Sequence, residues 1–309
     1  MNTLAPIVLF VYNRPWHTEQ TVTALLKNEL ADASDLIVYS DAPKNEAAAP
    51  KVEEVRRFIK GIRGFKSVSI IEREKNWGLA DNIIDGVTMV VNKYGRVIVL
   101  EDDIVTSPFF LRFMNDALDF YEHEEKVWHV SGYLFPINTD GLGDAFFTKG
   151  MFCWGWATWT RAWKHYERDP ENLPSKFSQE MIRDFNYENT NKFFDQVLAN
   201  KNGRLHTWAI FWYAVIYLNK ALCLCPRDSF VKNIGHDGSG IHCGRSRIMS
   251  DAELTSYYPL HFAEVIEESL VGRAALKKYF SSKASLSYRI TLLAIEMLRK
   301  ITYFFRLTT

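Results

Sequence analysis

Arg96-Val97-Ile98-Val99-Leu100 runs without a break into Glu101-Asp102-Asp103. Val97–Leu100 is apolar at every position, not at alternate ones, and such a run suits a strand covered on both faces. The same pattern recurs upstream in Pro6–Tyr12 (PIVLFVY), Leu36–Ser40 (LIVYS) and Val68–Ile71, and downstream in Val127–Ser131. Between these runs lie helical patterns over Pro15–Leu30, Lys51–Ile62, Gly78–Tyr94 and Pro108–Tyr121. In Lys51–Ile62 the residues Val52, Val55, Phe58, Ile59 and Ile62 share one face. Strands alternating with helices predict an α/β fold, with a mainly parallel central sheet flanked by helices. Ligands of such sheets bind at the carboxyl ends of the strands.

The acids of Glu101-Asp102-Asp103 sit at such an end. Three adjacent like charges are unfavourable unless a cation offsets them. Hard carboxylate oxygens suit Mg²⁺ or Mn²⁺, which would bridge a diphosphate and neutralise a leaving group. A solvated acidic turn is the plainer alternative. Asn13-Arg14-Pro15 follows the first strand, where Arg14 could meet a phosphate or a base at a helix N-terminus. Ser40-Asp41-Ala42-Pro43 follows the second, and Asp41 could accept from a base N–H or a ribose hydroxyl. Asn76-Trp77-Gly78-Leu79-Ala80-Asp81-Asn82 follows the third. There Gly78 would permit close backbone approach to a ligand, with Asn76 and Asn82 as polar contacts. A polar turn, an Asx turn and a helix cap are the respective structural alternatives. The four motifs gain weight by falling on one edge of the sheet.

In this order, Phe10-Val-Tyr-Asn-Arg-Pro15, Tyr39-Ser-Asp-Ala42 and Val99-Leu-Glu-Asp-Asp-Ile104 resemble the GT-A fold glycosyltransferases. The Glu-Asp-Asp form of the acidic motif resembles the N-acetylglucosaminyltransferases that initiate complex N-glycans in animals. Trp154-Gly-Trp-Ala-Thr-Trp159, Asn233-Ile-Gly235 and Asp237-Gly-Ser-Gly-Ile-His-Cys243 resemble bacterial sugar transferases of surface-polysaccharide clusters. The resemblance covers roughly residues 5–245. It implies that Asp41 binds the nucleobase, Arg14 the base or phosphates, Asp102 the ribose, and Asp103 a Mn²⁺ or Mg²⁺ ion. It implies further that Trp154, Gly155 and Trp156 line the sugar pocket. The loop Gly235–Gly244 would close over the diphosphate, with His242 a third metal ligand or a phosphate donor. The donor would be a nucleoside-diphosphate sugar, UDP-linked, and the acceptor a hydroxyl of a glycan or lipid-linked sugar. An inverting transfer needs a base near the acceptor hydroxyl. Related chains often carry an Asp near the tryptophan equivalent to Trp208, but Leu205-His-Thr-Trp-Ala-Ile210 has no acid. His206 and Asp237 are the candidates in its place. A sugar nucleotidyltransferase is one alternative, though Val11–Pro15 lacks the Gly-rich loop those enzymes carry. A non-catalytic carbohydrate-binding protein on the same fold is another.

The 309 residues carry 37 Lys and Arg against 37 Asp and Glu, and 47% are hydrophobic. This composition excludes disorder and coiled coil, and the zero net charge argues against a nucleic-acid partner. The balance is uneven along the chain. Residues 270–309 hold eight Lys and Arg against the single acid Glu296, a local charge of +7. Leu286, Ile290, Leu293, Met297, Ile301 and Phe304 form one helical stripe there. The stripe predicts a C-terminal amphipathic helix over 284–309 that either packs on the body or lies on an anionic membrane surface. The expected organisation is one catalytic domain over 1–269, its nucleotide-binding half 1–132 and its acceptor- and sugar-binding half 133–269, then the basic tail 270–309. Met1–Pro6 has no basic leader and Trp208–Leu218 is too short to cross a bilayer. The expected location is cytoplasmic, peripheral on the inner face of the plasma membrane. Of the tryptophans in 154–163, most are expected in the core and one or two in a cleft.

Overall fold

The computed structural model describes residues 3–237, 254–258 and 261–284. The strands are β1 (Ile7–Val11), β2 (Asp35–Ser40), β3 (Ser67–Glu72), β4 (Arg96–Glu101), β5 (Ile104–Thr106), β6 (Val127–Ser131), β7 (Ala145–Thr148), β8 (Trp156–Trp159), β9 (Leu222–Pro226) and β10 (Val231–Asn233). The helices are α1 (Pro15–Leu25), α2 (Ala49–Lys60), α3 (Leu79–Tyr94), α4 (Phe110–Phe120), α5 (Thr160–Trp163), α6 (Gln179–Phe185), α7 (Phe193–Lys201), α8 (Ala209–Leu218) and α9 (Leu270–Ala284). The fold is α/β, a large central sheet flanked by helices. Among the described residues the sheet has eight strands in the order β3–β2–β1–β4–β8–β6–β9–β7.

The sheet is mainly parallel, as expected, but not purely so: four of its seven pairings are parallel and three antiparallel. β3, β2, β1 and β4 pair in parallel, as do β6 and β9. β8 enters antiparallel between β4 and β6, and β7 runs antiparallel to β9. The parallel half is the part whose crossovers are helices. In the second half the strands are short; β6, β7 and β8 are joined by loops, and β8 reaches β9 through α5 to α8. The helix expected over Pro15–Leu30 stops at Leu25, and the next residues form turns.

Alternation along the strands explains the continuous apolar runs, since each face of the sheet carries its own core. Ile7, Leu9, Leu36, Val38, Ile98 and Leu100 pack on the side of α1, α2 and α4. Val8, Phe10, Ile37, Tyr39, Val97 and Val99 pack on the side of α3 and α8. Trp156 and Trp163 fill this second core, whereas Trp159 packs in the first. Trp156, Trp159 and Trp163 are buried and only Trp154 is part-exposed. β5 and β10 form a separate two-stranded ribbon with Ile104 opposite Asn233. The ribbon matters because it delivers residues 233–237 to the end of β4, where Ile234 N donates to Asp103 O at 2.9 Å.

Helix α9 lies against the body through buried Leu276, Tyr279 and Phe280. Its Arg273 bonds Asp184 at 2.7 Å, Glu188 at 2.6 Å and Glu268 at 3.1 Å. The amphipathic stripe from Leu286 onward lies outside the described residues. Among the described residues, no helix is long and apolar enough to cross a membrane.

One polar group is enclosed by the second core. His129 of β6 is fully buried, stacked on Trp156 with ring centroids 5.3 Å apart. Its Nε2 bonds Phe152 O at 3.0 Å, and Trp212 Nε1 donates to its Nδ1 at 3.3 Å. Nδ1 is therefore the acceptor and Nε2 the donor, a neutral ring with both nitrogens satisfied. Burial pushes its pKa down to about 3. The unfolded chain then binds a proton at His129 that the folded chain refuses, so this contribution to stability falls as pH falls below about 6.5. The stability gap between wild type and His129→Gln, measured by urea unfolding, should shrink by about 2 kcal/mol from pH 7 to pH 5. A gap independent of pH would mean that the folded state also accepts the proton.

Candidate functional site

The carboxyl ends of β1, β2 and β4 and the N-terminus of α3 surround a cavity of about 370 Å³. Nine of the residues singled out from the sequence line it: Arg14, Asp41, Asn76, Gly78, Asn82, Glu101, Asp102, Asp103 and His206. The strand register makes this convergence unavoidable. β1 pairs with β2 and β4 in parallel, so Phe10 lies beside both Tyr39 and Glu101. Each chain then leaves the sheet at the same edge.

At the floor, Arg14 Nη2 donates to Asp102 Oδ1 and, at 2.7 Å, to Asp103 Oδ2. Asp102 and Asp103 are both buried. Burial opposes the charge on Arg14, but Asp102 and Asp103 outweigh it and hold its pKa above the ordinary value. Burial raises Asp102, with Arg14 offsetting only part of the shift. Glu101 is pushed up to about 8, first by burial and then by Asp103 and Asp102. Asp102 and Asp103 thus share one guanidinium beside a third acid, Glu101, and the residual negative charge suits a further cation. The donors are hard oxygens, so the residues fit Mg²⁺ or Mn²⁺ in chemistry. Among the described residues, no three His, Cys, Asp or Glu side chains converge as a ready-made ligand set. Gly235 lies directly on this floor. A Cβ there would stand 2.1 Å from Asp103 Oδ2 and 2.9 Å from Arg14 Nη1, so only glycine fits.

Asp41 is placed differently from the expectation of a base-binding acid. It is 4% exposed and its two oxygens accept four hydrogen bonds. Oδ1 takes Ala42 N and Trp77 N, each at 2.9 Å. Oδ2 takes Gly78 N at 2.9 Å and Asn76 Nδ2 at 3.0 Å. Two lone pairs per oxygen are then used. The carboxylate clasps the 76–78 loop and leaves no acceptor over for a base. Gly78 has φ +76°, a left-handed conformation that turns its N–H to Asp41 at the start of α3. Asn82 is buried, and its Oδ1 accepts from Arg73 Nε at 2.9 Å. Arg73 in turn lies 4.0 Å over the Trp77 ring and pairs with Asp85.

His206 reaches the rim from the second half. Arg168 Nη2 donates to its Nδ1 at 2.9 Å, since arginine has no acceptor. Nε2 therefore carries the hydrogen and donates to Asp81 Oδ1 at 2.7 Å. With both nitrogens committed, the imidazole has no lone pair for a substrate proton in this geometry. Asp81 lies on the first turn of α3. Asp237 pairs with the buried His17 at 3.2 Å.

Three of the expected sugar-pocket residues lie apart from this cavity. Trp156 is wholly buried, stacked between His129 and Trp208. Gly155 serves packing. Its φ is +57°, and a Cβ would meet Val231 at 2.8 Å. Trp154 lines a separate cavity of about 180 Å³ with Tyr133, Phe152, Ile210 and Tyr213, and meets His236 edge-on. His242 lies outside the described residues. The main cavity also holds two residues that no motif indicated, Lys44 and Arg204. Lys44 and Arg204 are cations flanking the acidic floor, but lone basic residues in loops carry no sequence signal.

No protein-family model matches the chain, and no curated protein matches it. Among solved structures it is similar to the mannosyltransferase PcManGT from Pyrobaculum calidifontis, solved with GDP-Man and Mn²⁺. The identity is 10%, over 70% of this chain and 69% of that one, with a TM-score of 0.37. It is also similar to TarS of S. aureus, at 16% identity over 45% of this chain and 23% of that one, with a TM-score of 0.28. Likenesses at this distance leave the site to be judged on its own geometry.

The clasp makes a structural prediction. In Asp41→Asn one oxygen becomes an NH₂ group facing N–H donors. Hydrogen bonds to a charged acceptor are lost, which should destabilise the fold by about 2 kcal/mol or more. Denaturant unfolding without any ligand measures this. Unchanged stability would return Asp41 to the role of a ligand contact.

Proposed function

We propose that the protein is a metal-assisted glycosyltransferase of the GT-A type, moving a sugar from a nucleoside-diphosphate sugar to an acceptor hydroxyl. The observation that carries this reading is the acid triplet with its shared Arg14 at the floor of one cavity on the strand-end edge. That cavity also gathers two further cations, Lys44 and Arg204. A site with acids to hold a divalent ion and bases to hold phosphates fits a diphosphate ester, and fits a neutral sugar alone poorly.

Asp103, with Asp102 and Glu101 beside it, would hold Mn²⁺ or Mg²⁺, which when bound supplies charge neutralisation for a departing diphosphate. Asp102 is also the candidate for the ribose. Arg14, Lys44 and Arg204 bind phosphate oxygens. The 76–78 loop and Asn82, set by Asp41 and Arg73, form the wall for the base and ribose. Asp41 acts in this reading as the residue that shapes that wall. The proton of the attacking hydroxyl goes to the Asp81–His206 pair, in which His206 spends its Nε2–H on one Asp81 oxygen and orients the carboxylate. Asp237, paired with His17, is the second candidate. A bulky aromatic acceptor site is available in the Trp154 cavity next to Ile210 and Tyr213. An inverting outcome, a UDP-linked donor, a lipid-linked acceptor in surface-polysaccharide synthesis and a membrane-lying tail over 284–309 belong to the same proposal and are supported by the sequence motifs alone.

Thermal unfolding with UDP tests the reading. A ligand at a hundred times its Kd stabilises the folded state by about 2.7 kcal/mol. UDP with MnCl₂ should raise Tm clearly, UDP alone much less, and Asp103→Ala should abolish the difference. Equal shifts with and without Mn²⁺, retained in Asp103→Ala, would refute the metal-assisted reading.

A further inference from the structure

Arg14 occupies the position that a cation on the acid triplet would need. Its Nη2 serves Asp102 and Asp103 at once, while its Nη1 is buried with no hydrogen-bond partner. A guanidinium has donors on every nitrogen, and a buried donor left without an acceptor is unfavourable. Arg14 is therefore well paired on one side and poorly on the other. From above, Gly235 covers both groups, its missing Cβ leaving just the space that Asp103 and Nη1 fill. From the side, Pro15 opens α1 immediately after Arg14, and Thr18 N and Oγ1 both bond Arg14 O at 3.0 Å, so the backbone is fixed. Any change in the contact must come from rotation of the side chain. The cavity it would turn into is the one lined by Lys44 and Arg204.

We propose that Arg14 is a built-in counter-cation that keeps a divalent ion off the triplet until a nucleoside diphosphate arrives, whose phosphate oxygens give the guanidinium better partners and free the carboxylates. This rests on the reading above that the triplet takes a divalent cation. Its consequence is coupling: the diphosphate raises metal affinity, and by reciprocity the metal raises diphosphate affinity by the same factor. The coupling is a property of one side chain, because Arg14 is the partner that the two ligands exchange. Removing its charge while keeping its bulk should therefore expose the triplet to a metal in the absence of any nucleotide.

The test is Mn²⁺ binding to the full chain, followed by the electron paramagnetic resonance of free Mn²⁺, without and with UDP. Wild type, Arg14→Met and Arg14→Lys are compared, and circular dichroism checks that each is folded. Without UDP, Arg14→Met should bind Mn²⁺ about tenfold or more tightly than wild type, as loss of competing charge-assisted hydrogen bonds implies. Arg14→Lys should fall between, since a point charge cannot fork across two carboxylates, and it carries the test if the Met variant does not fold. UDP should tighten Mn²⁺ binding in wild type and much less in Arg14→Met. If wild type binds Mn²⁺ with UDP, yet its affinity without UDP equals that of both variants, Arg14 is no competitor and the inference fails alone. If wild type takes no Mn²⁺ even with UDP, the metal reading fails and takes the inference with it.

Discussion

Two adjacent buried carboxylates at the end of a strand, Asp102 and Asp103, must be offset by positive charge, and among the described residues the Arg14 guanidinium bonds both. Asp102 and Asp103 are buried, so water cannot screen them, and breaking such a pair leaves an uncompensated charge in a poorly polarisable place. Much of the surrounding structure follows from this constraint. β1 must end beside β4 so that Arg14 reaches the acids, and the parallel register of Phe10 beside Glu101 sets this. Residue 235 must be glycine because the covering segment lies against Asp103 itself. The β5–β10 ribbon anchors that segment through Asp103 O and Ile234 N.

A second charged group shapes the opposite wall in another way. Asp41 is satisfied by N–H donors in place of a cation, and four such bonds hold a carboxylate as firmly as an ion pair does. The loop it holds carries Gly78, whose positive φ starts α3, and α3 carries Asn82 and Asp81. Thus one buried acid faces inward to fix a wall, while the triplet faces the cavity with charge to spare. His206 and Arg168 then tie the second half of the chain to the start of α3. The cavity is closed at its rim by a contact between residues 125 positions apart.

The parallel half was legible in the sequence because its strands are buried on both faces and its crossovers are amphipathic helices. Both features leave periodic marks, and the expected strands at β1, β2, β3, β4 and β6 follow from them. β5, β7, β8, β9 and β10 are three to five residues long and lack such marks, so their antiparallel pairings depend on contacts distant in sequence. The cavity lining was largely legible for a topological reason: motifs that follow parallel strands fall on one edge. Individual roles were less so. An Asp after a strand reads the same whether it meets a ligand or its own backbone, and Asp41 does the latter. Trp154 and Trp156 are two residues apart, yet one is part-exposed and the other is core, because β8 begins between them after the left-handed Gly155. Asp81 lies inside the Asn76–Asn82 motif, but nothing local marked its contact, since its partner His206 comes from the other half of the chain.

The central claim is that this acidic floor is a cation site completed by a nucleoside diphosphate. A crystal structure of the protein grown with UDP and MnCl₂, with anomalous scattering recorded at the manganese edge, tests it most directly. The account predicts one anomalous peak in contact with the Asp103 carboxylate, UDP phosphates beside it, and the Arg14 guanidinium turned from the acids to the phosphates. UDP bound elsewhere, or bound in this cavity with no peak and Arg14 still bridging Asp102 and Asp103, would contradict it.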